Sequence, residues 1–350
     1  MSSLENNFRE IIPYTPGEQP QFKDKVKLNT NENPYPPSPK VMNKMLDYNE
    51  LKLYPDPTAE ELISAIADYH GVSKDMVFAG VGSDDVLATS FMAFFNSGKP
   101  ILFPDITYAF YDVWANLFKI PFTKCPLNDN FKIEKEDYYR ENGGIVFPNP
   151  NAPTGILMPL SQLEDILSHN RDVVVIVDEA YIDFGGESAI PLLNKYDNLV
   201  IVQTFSKSRS MAGMRIGYAI AGKRLIKELN TVKYSYNSYT LNYPSIKLGK
   251  LAIEDDEYFK NTVSKIINTR ERVKKELSDL GFSGTESMSN FLFVTHKNIM
   301  AKDIFGALKE KHIFVRYFDK PRIDNYLRIT IGTDDEMDKL IAFLKEYINK

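Results

Sequence analysis

The order of apolar and polar positions divides the chain into short strands and longer helices. Four apolar runs bounded by turn residues predict strands, and they read "PILFPDITY", "GGIVFPNP", "DVVVIVDEAY" and "NLVIVQTFSK". The Val- and Ile-rich centres of these runs lack the polar alternation of a half-exposed strand, and helical stretches separate them. Such runs are typical of parallel strands with both faces covered. The pattern therefore predicts a mostly parallel sheet with helices on both sides.

Two of the predicted helices begin with the same polar spacing. The stretch "TAEELISAIADYHG" places Thr58 three residues before Glu61, as in a capping box, and ends at Gly71. Ser161 and Glu164 repeat that spacing before the next apolar helical face. We expect both helices to begin with a side-chain cap.

The two ends of the chain differ from its middle. The stretch "NTNENPYPPSPK" is too rich in proline for a helix and predicts an extended arm. The C-terminal third alternates shorter elements, "NFLFVTH", "AKDIFGALKEKHI" and "YLRITIGT", and closes with a helix from about Asp335. Since 350 residues exceed the usual single-domain size, we predict an arm at 1–45 that packs on a small α/β domain at 246–350, and a large α/β domain at 46–245.

Composition narrows the kinds of partner and chemistry. Hydrophobic residues make up 43% and charged residues 25% of the chain, which is ordinary globular usage. A net charge of −5 without a long basic run argues against nucleic acid and membranes as partners, and the polar N-terminus predicts a cytoplasmic protein. Cys125 is the single cysteine and the four histidines are scattered, so neither a disulfide nor a metal site is expected.

Polar side chains follow the predicted strands at their carboxyl ends, where open parallel sheets bind ligands. "DVVVIVDEAY" ends on Asp178 and Tyr181, and "NLVIVQTFSK" ends on Ser206 and Lys207. The other two runs end on amides, an acid and a phenol: Asn149, Asn151, Asp105 and Tyr108. We expect these groups to converge at one edge of the sheet.

This set of groups suits pyridoxal phosphate. A lysine such as Lys207 can form a Schiff base with the cofactor aldehyde, and a carboxylate such as Asp178 can keep the pyridine nitrogen protonated. "FAGVGSDDVLATSF" places Ser83 at a predicted helix start, where free backbone amides favour a phosphate. Further contacts to the ring and phosphate are expected from side chains that stack or form hydrogen bonds: Tyr181, Asn151, Tyr108, Ser206 and Arg215.

Several motifs resemble one enzyme family. "LNTNENP", "LYPDP", "NPNAPTG", "VDEAYIDF", "TFSKSRSMAGMRIGY" and "YLRITIGT" occur in the order found in the histidinol-phosphate aminotransferases, a branch of the fold-type I pyridoxal phosphate enzymes. The resemblance covers almost the whole chain. It implies a transaminase of histidine biosynthesis that exchanges an amino group between histidinol phosphate or imidazole-acetol phosphate and glutamate or 2-oxoglutarate. It also implies a homodimer with its active sites, and part of the arm, at the subunit interface.

The resemblance implies roles for individual residues. Lys207 would be the Schiff-base lysine and proton shuttle, and Asp178 would pair with the pyridine nitrogen. Tyr181 would bond the 3′-oxygen of the ring, and Tyr108 would stack on the ring. The phosphate would be held by Ser83 and Asp84, mainly through backbone amides, and by Ser206 and Arg215. Tyr54 would reach the cofactor phosphate of the neighbouring subunit, and the substrate would face Tyr14, Arg316 and Arg328.

One position departs from the family motif. The commoner sequence has asparagine immediately before Pro-Thr-Gly, and this chain has Ala152 there. The contact to the ring oxygen then passes to Asn151 or is left to Tyr181 alone.

Two alternatives remain open from the sequence. The first keeps the cofactor and changes the reaction, giving an aromatic amino acid aminotransferase or a decarboxylase of a phosphorylated amino acid. The cofactor site serves all of these reactions, so only substrate-facing residues distinguish them. The second is a non-catalytic module that binds pyridoxal phosphate as a regulatory ligand. The short, proline-rich stretch before the large domain argues against it, because such regulators usually carry an added DNA-binding domain.

Overall fold

A computed structural model describes residues 4–349 of the chain. Its ten α-helices and thirteen strands alternate along most of the sequence, as the apolar pattern predicts. The helices are α1 Pro39–Met42, α2 Glu60–His70, α3 Gly82–Phe94, α4 Phe110–Phe118, α5 Leu160–His169, α6 Lys223–Tyr236, α7 Tyr243–Glu254, α8 Asp256–Asp279, α9 Ala301–Glu310 and α10 Asp334–Ile348. The strands are β1 Val26–Lys27, β2 Val77–Gly80, β3 Ile101–Pro104, β4 Phe122–Cys125, β5 Ile145–Pro148, β6 Val175–Asp178, β7 Leu199–Thr204, β8 Gly217–Ala221, β9 Phe282–Gly284, β10 Phe291–His296, β11 Ile313–Phe314, β12 Arg316–Tyr317 and β13 Leu327–Thr330.

Seven strands form one sheet in the order β2-β8-β7-β6-β5-β3-β4. The four apolar runs became β3, β5, β6 and β7, which pair in parallel, and only β8 runs antiparallel to its neighbours. Different helices cover the two faces of β6. Ile176 packs with α3 and α4 on one face, whereas Val175 and Val177 pack with α5 on the other. The prediction of a mostly parallel sheet covered on both faces is confirmed. No helix of residues 4–349 is both long and apolar enough to cross a membrane.

Neither predicted capping box forms. Helix α2 begins at Glu60, and Asp56 takes the capping role by accepting the backbone N–H of Glu60 at 2.9 Å. Thr58 instead donates its hydroxyl to Asp56 at 2.7 Å. Helix α5 begins at Leu160 directly after Pro159, so Ser161 already lies inside the first turn and cannot cap it. A capping box is found at α10, between Thr333 and Glu336.

A second sheet contains four antiparallel strands in the order β12-β13-β10-β9, with α8, α9 and α10 packed around it. The N-terminal arm joins this part of the molecule, because β1 pairs in parallel with β11 and Thr330 donates its backbone N–H to Leu28 at 3.0 Å. Helix α7 crosses the predicted boundary between 245 and 246 and packs on α2 beside the large sheet. The boundary itself stays a prediction.

Candidate active site

A cavity of about 200 Å³ opens at the carboxyl ends of β5, β6 and β7. This is the edge at which the sequence places the functional side chains. The cavity brings together eight of the predicted site residues: Ser83, Asp84, Tyr108, Asp178, Tyr181, Ser206, Lys207 and Arg215. A larger surface groove of about 410 Å³ lies near Arg9 and Leu117, but no acid lines it and none of the predicted residues reach it.

Lys207 lies in the loop after β7, with its amine directed into the cavity. The Nζ atom donates to the backbone carbonyl of Thr30 at 3.1 Å and lies 5.8 Å from the centre of the Tyr181 ring. A carbonyl is a weak partner for an ammonium group compared with a carboxylate. The amine is therefore held in place without being tied into an ion pair.

Asp178 is the last residue of β6 and is only 5% exposed. The Tyr111 hydroxyl donates to its Oδ2 atom at 3.1 Å, and the Ala180 backbone N–H donates to Oδ1 at 3.2 Å. Burial raises the pKa of Asp178 to about 7, although both hydrogen bonds favour the charged form. A positively charged partner in the cavity would stabilise the ionised form of this buried carboxyl group.

The N-terminus of α3 forms a cradle for an anion. Gly82 opens the helix at a positive φ of 81°, and a Cβ atom there would lie 2.4 Å from a terminal nitrogen of Arg215. A Cβ on Gly217 would come within 2.3 Å of the backbone nitrogen of Ser83. The N-cap residue Val81 makes no side-chain cap, which leaves the first N–H groups of the helix and its dipole available to an anion.

Two side chains complete this cradle. Arg215 donates to the Ser206 hydroxyl oxygen at 3.2 Å, and the Thr204 hydroxyl donates to the same oxygen at 3.0 Å. A hydroxyl that accepts from Arg215 keeps its own hydrogen to donate, so Ser206 can offer that hydrogen to an anion. Asp84 accepts from the Tyr108 hydroxyl at 2.6 Å and faces Arg215 at 3.5 Å, so its backbone, not its carboxylate, suits an anion.

The side chain of Asn151 does not line the cavity. Its Nδ2 atom donates to the Ile106 carbonyl at 3.0 Å and to the Thr154 hydroxyl at 3.1 Å, and its Oδ1 atom accepts from Thr107. Both amide hydrogens are thus used, one within its own loop and one by the loop after β3. Ala152 is the residue of this motif that faces the cavity.

Arg316 and Arg328 lie directly opposite each other on β12 and β13. Arg328 donates to the Asn29 carbonyl at 3.0 Å, while its buried Nε atom has no hydrogen-bond partner. Burial lowers the pKa of Arg328, and the charge of Arg316 adds to that effect. Neither guanidinium forms an ion pair with an acid of residues 4–349. Two adjacent cations without a counter-ion favour an anionic ligand between them.

Two predicted tyrosines lie outside the cavity lining. The Tyr14 ring stacks on Phe110 at 4.2 Å and lies 6.5 Å from Tyr108, near the mouth of the site. Tyr54 is 82% exposed, and its ring lies 4.7 Å from that of Tyr239. Within a single chain, Tyr54 does not line the cavity.

The arm contributes residues that the sequence argument did not assign to the site. Thr30 and Glu32 line the cavity, and the Nδ2 atom of Asn31 donates to the Tyr181 hydroxyl oxygen at 2.9 Å. Tyr111, beneath Asp178, was missed as well. The stretch "LNTNENP" was a usable signal, because polar residues in a proline-rich arm rarely pack without a partner. Nothing in the local pattern showed that the arm crosses to the large sheet.

Comparison with known proteins agrees with this geometry. The sequence profile of aminotransferase class I and II matches residues 23–344. The chain is 52% identical to a histidinol-phosphate aminotransferase of Brachyspira hyodysenteriae, over 99% of both chains, and 52% identical to one of Clostridium beijerinckii, over 96% of this chain and 95% of the other. A structure of histidinol-phosphate aminotransferase from Sinorhizobium meliloti with pyridoxal-5′-phosphate has a TM-score of 0.84 at 23% identity, covering 92% of this chain and 90% of the other. The chain belongs to the aminotransferases of class I and II and, within them, to the pyridoxal phosphate-dependent histidinol-phosphate aminotransferase family.

Proposed function

We propose that the enzyme transfers an amino group between histidinol phosphate or imidazole-acetol phosphate and glutamate or 2-oxoglutarate, a step of histidine biosynthesis. One observation carries this proposal. A lysine amine and a buried carboxylate share a cavity with an anion cradle, and two arginines without counter-ions lie on the neighbouring sheet. The first three features suit pyridoxal phosphate, and the arginine pair suits a second phosphate, that of the substrate.

The residues of the cavity fit pyridoxal phosphate. The phosphate would lie at the α3 N-terminus, against Ser83, Ser206 and Arg215. The ring would lie between Tyr108 and the strand end that carries Asp178. Burial raises the pKa of Asp178, and a pyridinium nitrogen beside it would favour its charged form. The bound cofactor withdraws into its ring the electrons released when a bond at the substrate's amine-bearing carbon is broken.

The chain itself supplies the proton transfers. The Nζ atom of Lys207 would be the basic group that moves a proton at the carbon bearing the amino group, and its bond to the Thr30 carbonyl holds it at the cavity wall. We assign to Lys207 both the covalent attachment of the cofactor and the movement of the proton. Tyr181 would donate its hydroxyl hydrogen to the ring oxygen, and Asp178 would pair as a carboxylate with the protonated pyridine nitrogen.

The arginines would select the substrate. Histidinol phosphate has no α-carboxylate, so its phosphate is the anion that Arg316 and Arg328 can grip, with Tyr14 as a neutral donor at the mouth. Glutamate must use the same site in the other half of the cycle. Planar guanidinium groups bind either a phosphate or a carboxylate with paired hydrogen bonds, which explains one site for two substrates.

Aromatic amino acid transamination and decarboxylation of a phosphorylated amino acid remain the alternatives. A single half-reaction, followed through the absorbance of the bound cofactor, compares histidinol phosphate, phenylalanine and phosphothreonine under the same conditions. We expect histidinol phosphate to react with the highest ratio of rate to apparent dissociation constant. A higher ratio for phenylalanine, or release of carbon dioxide from phosphothreonine, would assign the enzyme to one of the alternatives.

The active unit is proposed to be a homodimer. Residues 42–54 and 234–239 expose large apolar side chains that a monomer would leave in water, including Met45 at 82% and Tyr48 at 71% exposure. Tyr54, in the first of these segments, contacts Tyr239 in the second and does not line its own cavity. Burial of this face against a second copy would bring each Tyr54 to the phosphate cradle of the other subunit.

Mixing two inactive variants tests the shared site. Lys207→Ala destroys the site of its own chain but keeps Tyr54, whereas Tyr54→Ala weakens the partner's site but keeps Lys207. A mixed dimer then has one intact site, and random exchange should restore about a quarter of the parental activity. Each variant alone and a mixture without exchange serve as controls. Mass spectrometry checks that mixed dimers have formed. If they have formed and no activity returns, that result would argue against a contribution of Tyr54 across the interface.

We also propose the predicted division into an arm at 1–45, a large domain at 46–245 and a small domain at 246–350, with the two sheets and their separate cores as support. A cytoplasmic location is proposed as well. Its support is that the single cysteine, Cys125, is buried and unpaired, so the fold needs no oxidising compartment.

A further inference from the structure

The hydrogen bond between the arm and Tyr181 assigns a role to Asn31. The Nδ2 atom of Asn31 donates to the Tyr181 hydroxyl oxygen at 2.9 Å, and Asn31 is only 1% exposed. We infer that Asn31 is a positioning residue that fixes the Tyr181 hydroxyl, with its hydrogen directed at the ring oxygen of the cofactor. The inference rests on the proposed function in one respect, the contact between Tyr181 and pyridoxal phosphate.

The orientation of the Asn31 amide is set by Thr330. The Thr330 hydroxyl oxygen accepts the backbone N–H of Asn31 at 3.0 Å, and the same hydroxyl donates its hydrogen to Asn31 Oδ1 at 2.9 Å. A flipped amide would take the Oδ1 acceptor away from the Thr330 hydroxyl hydrogen. The N–H side of Asn31 therefore faces Tyr181.

This orientation determines what Tyr181 can do. A phenol has one hydrogen to donate, and a partner that accepted it would leave none for the cofactor. Asn31 instead donates to the phenol oxygen, so the hydroxyl hydrogen stays available to the cavity. A hydroxyl that accepts one hydrogen bond also donates more strongly in a second, because the two bonds polarise each other.

The hydrogen bond from Asn31 to Tyr181 matters because the motif has Ala152 where the family more commonly has asparagine. Ala152 faces the cavity without a polar group, and both amide hydrogens of Asn151 are used by Ile106 and Thr154. Within residues 4–349, Asn31 is the side-chain amide that bonds to Tyr181. The arm thus supplies an amide beside Tyr181 where the motif itself offers none to the cavity.

Backbone conformation is a second reason for asparagine at position 31. Asn31 has a φ of 57°, in the left-handed region that glycine, asparagine and aspartate adopt at low cost. Asn290 also holds the Asn31 carbonyl at 3.0 Å. Because Asn31→Gly keeps this backbone and removes only the side chain, it separates the amide from the conformation.

A spectrophotometric pH titration of the holoenzyme tests the inference. A hydrogen-bond donor to the ring oxygen stabilises the deprotonated form of the lysine-bound chromophore, so a weaker donor raises its pKa. We expect Asn31→Gly to raise this pKa by about 0.5–1 unit. Asn31→Asp, which keeps the shape but accepts the Tyr181 hydrogen, should raise it at least as far. The matched control is Asn33→Gly, which removes another amide bond of the arm, to the Ser208 carbonyl at 3.1 Å, and should leave the pKa unchanged.

An unchanged pKa in Asn31→Gly, or an equal rise in Asn33→Gly, would overturn the inference. Tyr181→Phe is measured alongside, and a failure to shift the pKa there would remove Tyr181 from the ring oxygen and the role of Asn31 with it. No substrate enters this titration. A failure to react with histidinol phosphate would therefore count against the proposed function alone.

Discussion

Replacement of Lys207 by alanine is expected to lower turnover by at least about 10³-fold, because the chain loses both its covalent attachment point and its proton carrier. The absorbance band of the lysine-bound cofactor should vanish. Some cofactor should remain bound through Ser206, Arg215 and the α3 N-terminus, since these contacts are independent of the amine. Lys207→Arg should be equally inactive, because it keeps the charge without a nucleophilic amine.

Chemical labelling checks the identity of the lysine. Borohydride reduction of the holoenzyme followed by peptide mapping should mark the peptide that contains Lys207. Lys233→Met is the control, because Lys233 is also buried but donates to the Pro57 carbonyl, away from the cavity. A label on any other lysine, or a normal absorbance band in Lys207→Ala, would show that this assignment is wrong.

Arg328→Ala is expected to lower the specificity constant for histidinol phosphate by about tenfold to a hundredfold. A charged hydrogen bond lost from a mostly dry site costs about 1.5–3 kcal/mol, which corresponds to that range. The loss should appear for glutamate too, since one site serves both substrates. Steady-state kinetics with Arg272→Ala as the control checks this, because Arg272 pairs with Asp334 and Asp338 on the outer surface. If Arg328→Ala and Arg272→Ala lower the specificity constant equally, Arg328 affects the stability of the fold and not the binding of the substrate.

The sheet was predictable from sequence because its strands are buried on both faces. Runs such as "VVVIV" before Asp178 admit few alternatives, and the carboxyl ends of parallel strands must meet at one edge. Lys207, Asp178 and Ser206 therefore came together as expected. Helix starts were less predictable, because Asp56 both bonds the Thr58 hydroxyl and accepts the Glu60 amide, and a local spacing rule does not weigh such a neighbour.

The contribution of the arm was not predictable from local pattern. Asn31 reaches Tyr181 across 150 positions of sequence, and its amide is oriented by Thr330 on a third segment. Asn151, by contrast, was expected at the site but does not line the cavity. Its position in the motif suggested a cofactor contact, whereas its amide bonds to Thr154 in its own loop and to Ile106 in the loop after β3. Side-chain direction in such loops depends on tertiary partners that periodicity does not encode.

The most direct test of the proposed function is the ratio of specificity constants for histidinol phosphate and unphosphorylated histidinol. The two molecules differ only in the anion that Arg316 and Arg328 are proposed to bind. The parent enzyme should prefer the phosphate ester by at least about tenfold, the lower value for one charged hydrogen bond, and the double variant Arg316→Ala, Arg328→Ala should lose most of that preference. A ratio near one in the parent, or a preference that survives both substitutions, would contradict the assignment of histidinol phosphate as the substrate.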